Sequence, residues 1–546
     1  RPMSVTTETT ISAKELHDLL RSSDEFALLD VRQPRRTAEH GSILLGVSLP
    51  LSVLELRVGA LVPRRSTNVV VYSARADGLA ARARDRLLEL GYTDVTALDG
   101  GIEAWADAGF KVQTGGDNVV GQAFGEWIEA IYDTPHITVQ EYLDKVAAGD
   151  DIVLLDSRPL PEFESHSLPG GTSIPGAELV YRAREAVPSD DSLVVVHCAG
   201  RTRSILGAQA LINAGLPNRV VALEGGTQSW VLEGHELEHG HRAEPPLPTG
   251  ASLADALAAA ARIAGRFGVI TIDKATLAAF RAEADERSLY VLDVRTPDEF
   301  SAGHLPGSAS APSWDVAPWV FRHAATHNAR VVLVDNDRVR ATVAASWIIQ
   351  IGWGEVYVLA DALEDEQLET GPVPRQPVGV PETGYDVVTA AQAAPQIASG
   401  AVAVIDLQPS PAYHDGHVPG AQFALRQRLA ASAGDIAGTG AILLVSDDGV
   451  LARLAAAELA TATARPIQVL DGGFAAWREE GRAVEPGEGR TLHAADDVVP
   501  SGWRETDPDR RSAGFRRYLA WELGLVAELA ADDTVPFRAF TDTHAP

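Results

Sequence analysis

The chain's only cysteine, Cys198, stands in the segment VVVHCAGRTRS. The residues before it are apolar and β-branched, and those after it, from Ser204 to Ala214, are rich in Ala and Leu. That pattern predicts a strand feeding a helix through a short loop of Ala199, Gly200, Arg201, Thr202 and Arg203. A free thiol has a pKa of about 8.5 and reacts as its thiolate. A helix N-terminus aims several N–H groups at the sulfur, which favours an anion there. Successive N–H groups in a tight loop also form an anion nest. Gly200 is expected to let the loop curl by taking an unusual φ/ψ. Arg201 and Arg203 add positive charge that does not titrate away, Arg203 as the residue closing an anion site and Arg201 facing either substrate or solvent. His197 either tunes the thiolate or faces the core as an ordinary strand residue. The chemistry these types support is nucleophilic attack by a thiolate on an anionic electrophile, with a covalent intermediate. A lone cysteine is more often a small buried hydrophobe, but these neighbours favour reactivity.

The elements that must position this loop recur along the chain. Apolar runs end in Asp at LLDVR (Asp30), LLDSR (Asp156), VLDVR (Asp293) and VIDLQ (Asp406). After a similar interval each is followed by a second run: VVVYS to Ser73, VVVHC to Cys198, VVLVD to Asp335 and ILLVS to Ser446. Three units close with LDGGIEAW, LEGGTQSW or LDGGFAAW, while the third has drifted to LADALEDE. The spacing is domain-sized, so these are duplicated domains and not solenoid repeats. Continuous β-branched runs read as strands buried on both faces. Their alternation with helical stretches implies an α/β fold, each unit a central parallel sheet flanked by helices, with ligands expected where strands end. The limits fall at about 9–116, 135–242, 269–371 and 385–486. AEPPLPTG and an Ala-rich helix from Leu253 to Phe267 separate units two and three, and GPVPRQPVGVPETG separates three and four. The tail, 487–546, contains an amphipathic stretch, Phe515 to Ala530, expected to pack back on a domain.

Bulk properties exclude several classes. A net charge of −29 argues against nucleic-acid binding and against docking on an anionic membrane. No apolar run is long and uncharged enough to span a bilayer. Ser4 to Thr10 are too polar for a secretory signal, and Arg1 and Pro2 look appended ahead of Met3, so a cytoplasmic protein is expected. One cysteine excludes an intrachain disulfide and any multi-cysteine metal site. His235, His239 and His241 cluster among acidic residues and read as solvated. No nucleotide loop is present, so neither metal nor cofactor is expected.

With these motifs in place, the unit resembles the rhodanese domain in all four copies, covering most of the chain. The resemblance rests on a signature similar to DxR…E[FY]xxGHxPG. Unit three matches best, as DVRTPDEFSAGHLPG with Asp293, Arg295, Glu299, His304 and Gly307. Unit two reads DSRPLPEFESHSLPG, with Asp156, Arg158, Glu162, His166 and Gly170. Unit four keeps GHVPG but has Gln408 for the Arg, and unit one is weakest. Only unit two carries the active-site Cys, and Arg203 has an equivalent in Arg340 of unit three. Because units lacking the Cys keep the Asp, Asp156 and Arg158 are expected to be structural supports, and His304 and His417 to be turn formers.

The resemblance implies a thiosulfate sulfurtransferase with Cys198 as sulfur carrier. The basic loop favours thiosulfate over mercaptopyruvate, and its six residues, Cys198 to Arg203, favour sulfur transfer over the phosphatase or arsenate reductase relatives. Cyanide, a thiol or an acceptor protein would take the sulfur. A persulfide carrier that docks a partner, and an oxidant sensor, are the alternatives. Units one and two resemble an inactive–active tandem pair, with unit one shaping the cleft over Cys198. Units three and four would dock an acceptor or support a homodimer.

Overall fold

The computed structural model describes residues 9–364 and 367–541. Residues 4–8 of the polar N-terminal stretch and part of the drifted LADALEDE segment lie outside the described residues. Each repeat builds its own sheet. In unit two the strand order is His136–Ile137, Val220–Leu223, Leu193–His197, Ile152–Asp156 and Thr172–Ser173, every pair parallel. Units one, three and four repeat this order. The central strands are buried on both faces, as their unbroken apolar runs require. Register sets Asp156 beside His197, one residue short of Cys198, so the Asp-ended strand and the Cys-ended strand finish together at one sheet edge.

The Asp–Arg pair of the first signature is a structural clamp. In unit two both side chains are fully buried; Arg158 Nε and Nη2 donate to Asp156 at 3.0 and 2.7 Å, and Nη2 also donates to the His166 carbonyl at 2.6 Å. Asp30–Arg32 and Asp293–Arg295 tie the same corner to the Gly41 and Gly303 carbonyls. Each guanidinium satisfies a buried carboxylate and a buried carbonyl that would otherwise be orphaned. In unit four, Gln408 replaces the cation; it still donates to Asp406 at 3.0 Å but leaves the buried charge uncompensated.

The units do not assemble as two tandem pairs. Thr326–His327 of unit three adds an antiparallel strand to the sheet of unit one, with His327 stacked on Phe26. Unit three also packs on unit two, where Arg340 donates to Glu178 at 2.8 Å. One continuous apolar core joins units one, two and three, whereas unit four has separate cores. Unit four meets unit one through a buried ion pair, Arg426 donating to both oxygens of Glu55 at 2.6 and 2.9 Å.

Two helices outside the repeats complete the assembly. The linker helix Val120–Tyr132 joins units one and two. The tail helix Pro508–Ala530 is longer than its amphipathic stretch suggests, beginning at the Asp507 N-cap, and it packs along the linker helix. Trp521 of the tail helix donates to the Thr114 carbonyl, anchoring it to the end of unit one. Among the described residues no helix is long and apolar enough to cross a membrane.

Burial without a cation pushes the Asp406 carboxyl up to about 7. Its ordinary value in an unfolded chain is about 4, so the folded state bears no penalty below that pH and the full penalty above pH 7. Asp406→Asn should therefore raise the first calorimetric unfolding transition at pH 8.5 and change it little at pH 4.5. An equal shift at both pH values would show that the carboxyl is ionised throughout.

Candidate active site

Cys198 follows the last residue of the strand Leu193–His197, and the helix Thr202–Asn213 begins four residues later, so Thr202 and Arg203, expected in the loop, form the first turn of the helix instead. The chain reverses tightly because it docks on the start of another helix, Gly226–Leu232. Thr227 N donates to the Cys198 carbonyl at 2.9 Å and Gln228 N to the Ala199 carbonyl at 3.1 Å. The Gly-Gly pair makes this approach possible: Gly226 has φ +48°, and a Cβ there would lie 1.9 Å from the Cys198 carbonyl oxygen.

The thiol donates to Ser204 Oγ at 3.7 Å, and the Ser204 backbone N–H points at the sulfur. Burial pushes the Cys198 thiol above its ordinary pKa; Arg203 opposes this, Glu522 adds to it, and the Ser204 backbone N–H opposes it. In the other units a better acceptor occupies the same place. Ser73 Oγ accepts Ala80 N at 3.1 Å, Asp335 Oδ2 accepts Ala341 N at 3.2 Å and Ser446 Oγ accepts Ala452 N at 3.2 Å. In unit three the pocket is filled from within, since Arg340 pairs with Asp335 at 3.0 Å and with Glu299 at 2.8 Å.

The loop residues divide their tasks differently from the sequence expectation. Gly200 does not take a left-handed φ. It is needed for space, because a Cβ would lie 2.9 Å from Glu522 Oε2 and 3.0 Å from Tyr518 Cε1 of the tail helix. Arg201 is not a free cation for substrate. It is buried and pairs with Glu126 at 2.8 Å and with Glu129, both on the linker helix. Thr202 donates to Glu522 Oε1 at 3.2 Å. Arg203 reaches back along the loop, pairs with Glu162 at 2.8 Å and acts electrostatically on Cys198. Burial would raise the Glu162 carboxyl, but Arg203 beside it holds it low. His197 is fully buried, with Nε2 3.6 Å from Asp156, and burial lowers its pKa, so it is a neutral core residue. His235, His239 and His241 diverge: His239 bonds the Ser165 carbonyl, while the other two lie against Trp230 and Phe163.

The sulfur opens to a cavity of about 440 Å³. Its wall includes Gln122 of the linker helix, Trp314, Asp315, Trp319 and Arg322 of unit three, and Tyr518 and Glu522 of the tail helix. Among the described residues no side chain of unit one's own fold lines it, so the cleft over Cys198 is shaped by unit three and the two extra helices. Gln122, Trp319 and Arg322 also line a neighbouring cleft of about 450 Å³ between units one and four, onto which Ser446 opens. Sequence reasoning missed Glu126, Trp314, Arg322, Tyr518 and Glu522, none of which belongs to the repeated motifs.

The rhodanese-like domain family matches residues 12–108, 138–233, 276–366 and 389–480. The chain belongs to the rhodanese-like family. A solved thiosulfate sulfurtransferase from Pseudomonas aeruginosa is 39% identical and superposes with a TM-score of 0.91 over 97% of this chain and 99% of that one. A sulfurtransferase of Allochromatium vinosum is 30% identical over 19% of this chain and 92% of its own length. SseB of Mycobacterium tuberculosis, named for thiosulfate sulfurtransfer, is 28% identical over 33% of this chain and 71% of its own length. Four rhodanese-like repeats of parallel sheets flanked by helices thus form a chain of the sulfurtransferase family.

Gly200→Ala is expected to loosen the tail helix, because the added methyl collides with Glu522 and Tyr518. Amide hydrogen exchange across 508–530 should accelerate severalfold while the central strands stay protected. Unchanged exchange in the tail would mean that the loop yields instead.

Proposed function

We propose that Cys198 accepts sulfane sulfur from thiosulfate and passes it to a nucleophilic acceptor. The observation that carries this reading is the sulfur's setting: the only thiol of the chain sits at a helix N-terminus, beside Arg203, open to a cavity large enough for a small oxyanion. Likeness to the Pseudomonas aeruginosa thiosulfate sulfurtransferase over nearly the whole chain supports the choice of donor.

In the first half-reaction the Cys198 thiolate attacks the outer sulfur of thiosulfate. A Cys198 Sγ–S bond forms, the S–S bond of the donor breaks, and its electron pair leaves on sulfite. The persulfide anion then lies where the Ser204 N–H and the helix N-terminus favour negative charge. In the second half-reaction cyanide or a thiolate takes the terminal sulfur, giving thiocyanate or a new persulfide, and the Cys198 thiolate returns. Splitting the transfer through a covalent intermediate predicts ping-pong kinetics. Ala199 and Gly200 contribute backbone and space, and Thr202 and Arg201 hold the loop on its supports. Asp156, Arg158 and His197 brace the strand ends. Units one, three and four take no part in the chemistry, since Ser73, Asp335 and Ser446 cannot carry a persulfide; unit three instead encloses the donor. The adjoining cleft gives an acceptor a route to the sulfur.

Purified wild-type chain should form thiocyanate from thiosulfate and cyanide, and Cys198→Ala should form none. No turnover by the wild type would sink the thiosulfate reading and favour a persulfide carrier loaded by another donor. Arg203→Gln removes the charge that opposes burial at the thiol, so the Cys198 pKa should rise further. Alkylation of Cys198 by iodoacetamide at pH 7.5 should then slow by about tenfold, the effect of a one-unit shift. An unchanged rate would show that Arg203 serves only to hold Glu162.

A further inference from the structure

The tail helix carries one carboxyl into the place where the reaction gathers negative charge. Glu522 is fully buried and lines the Cys198 cavity. Its Oε1 accepts from the Tyr518 hydroxyl at 3.0 Å and from Thr202 Oγ1 at 3.2 Å. Its Oε2 has no partner among the described residues and lies against Gly200 of the loop.

The charges around Glu522 leave it without a counter-ion. The loop presents Cys198, Arg201 and Arg203; the linker helix presents Glu126 and Glu129; unit three presents Asp315 and Arg322 across the cavity; its own helix presents Tyr518. Each cation is already engaged, Arg201 with Glu126 and Glu129, Arg203 with Glu162 and Arg322 with Asp315. A buried carboxyl in that position keeps its proton in preference to an unpaired charge. Burial, with Glu126 adding to it, lifts Glu522 to about 8. An ionised Glu522 beside a thiolate and a dianionic donor would oppose the very complex the cavity must hold, whereas a neutral acid offers a hydrogen-bond donor.

We propose that Glu522 serves the reaction as a neutral carboxylic acid whose O–H, on Oε2, donates to the oxyanion end of the sulfur donor over Cys198, so that the site accepts anions only while Glu522 holds its proton. The inference rests on Cys198 being the sulfur carrier. The acid does not give up its proton: sulfite leaves with the electron pair of the broken S–S bond while Glu522 stabilises its oxygens.

Glu522→Gln keeps the shape and the donor and cannot ionise. In a ping-pong cycle kcat/KM for thiosulfate reports the donor half-reaction alone, so the titration of cyanide does not enter. Glu522 also bears on the Cys198 thiol, so each kcat/KM is divided by the rate at which neutral iodoacetamide alkylates Cys198 of the same protein at the same pH, which removes the thiolate fraction before the variant-to-wild-type ratio is taken. The ratio should stay near unity below pH 7 and climb to about tenfold by pH 9, as loss of one acid titrating near 8 requires. A ratio that does not change with pH overturns the proposal.

A second measurement needs no variant and no thiosulfate. Cys198 is the chain's only thiol, so alkylation rates with anionic iodoacetate and neutral iodoacetamide both report this site. In the wild type the iodoacetate-to-iodoacetamide rate ratio should fall severalfold between pH 7 and pH 9; a constant ratio overturns the proposal. If the ratio falls but thiosulfate is not turned over, the donor assignment fails and the charge gate at Cys198 stands.

Discussion

The structure turns on one constraint: the residue that ends the central strand must satisfy a free N–H at the start of the next helix. Ser73, Asp335 and Ser446 do so in units one, three and four, and in unit two the place falls to Cys198, toward which the Ser204 N–H points. A hydroxyl or carboxylate does this well in the resting protein. A thiol does not, because neutral sulfur is a weak acceptor. Unit two is therefore the one place where the helix start is poorly satisfied until the sulfur becomes an anion, as thiolate or as persulfide. The contact that a hydroxyl or carboxylate saturates in three units is left in unit two to oppose the burial that holds the Cys198 thiol above its ordinary pKa.

Every other feature of unit two holds that sulfur at the surface of a buried loop. The Asp156–Arg158 clamp fixes the neighbouring strand end, Gly226 lets a helix start reach the Cys198 carbonyl, and Arg201 pins the loop to the linker helix. Comparing Arg203 with Arg340 shows how small the difference between an open and a closed site is. Both reach back to the glutamate of the first signature, Glu162 or Glu299. In unit three Asp335 draws Arg340 fully inward, so an internal carboxylate takes the position an external anion would need. Unit three then contributes its loop around Trp314 and Arg322 to the cavity of unit two.

What could be read in the sequence was whatever lies within one repeat. The strand ends, the Asp–Arg pairs and the Gly-Gly turns are local patterns with local causes, and the folded chain places them accordingly, whereas the loop after Cys198 is shorter than its six-residue pattern because Thr202 and Arg203 already belong to the helix. What could not be read depends on segments that meet only after folding. Thr202 and Glu522 are 320 residues apart in sequence, and Arg201 finds its partners on a helix that belongs to no repeat. Gly200 shows how this misleads: a glycine in a loop suggests a special φ, yet here the missing Cβ makes room for a helix that arrives from the far end of the chain. Likewise the four-fold duplication suggested two tandem pairs, but the shared strand at Thr326–His327 joins unit three to unit one, an association no periodicity records.

The overall charge sharpens the role of the enclosure. A chain with a net charge of −29 repels a small dianion at long range, and salt screens that repulsion beyond about 10 Å. Affinity for an anion must then come from groups that meet it at short range. Four elements wall the cavity over Cys198: the loop of unit two, the Trp314–Arg322 stretch of unit three, the linker helix through Gln122 and the tail helix. A rhodanese-like domain standing alone would offer the loop but not the walls. The linker helix Val120–Tyr132 and the tail helix thus belong to the architecture around the cysteine, since Arg201 takes its carboxylates from the first and Thr202 donates to Glu522 of the second.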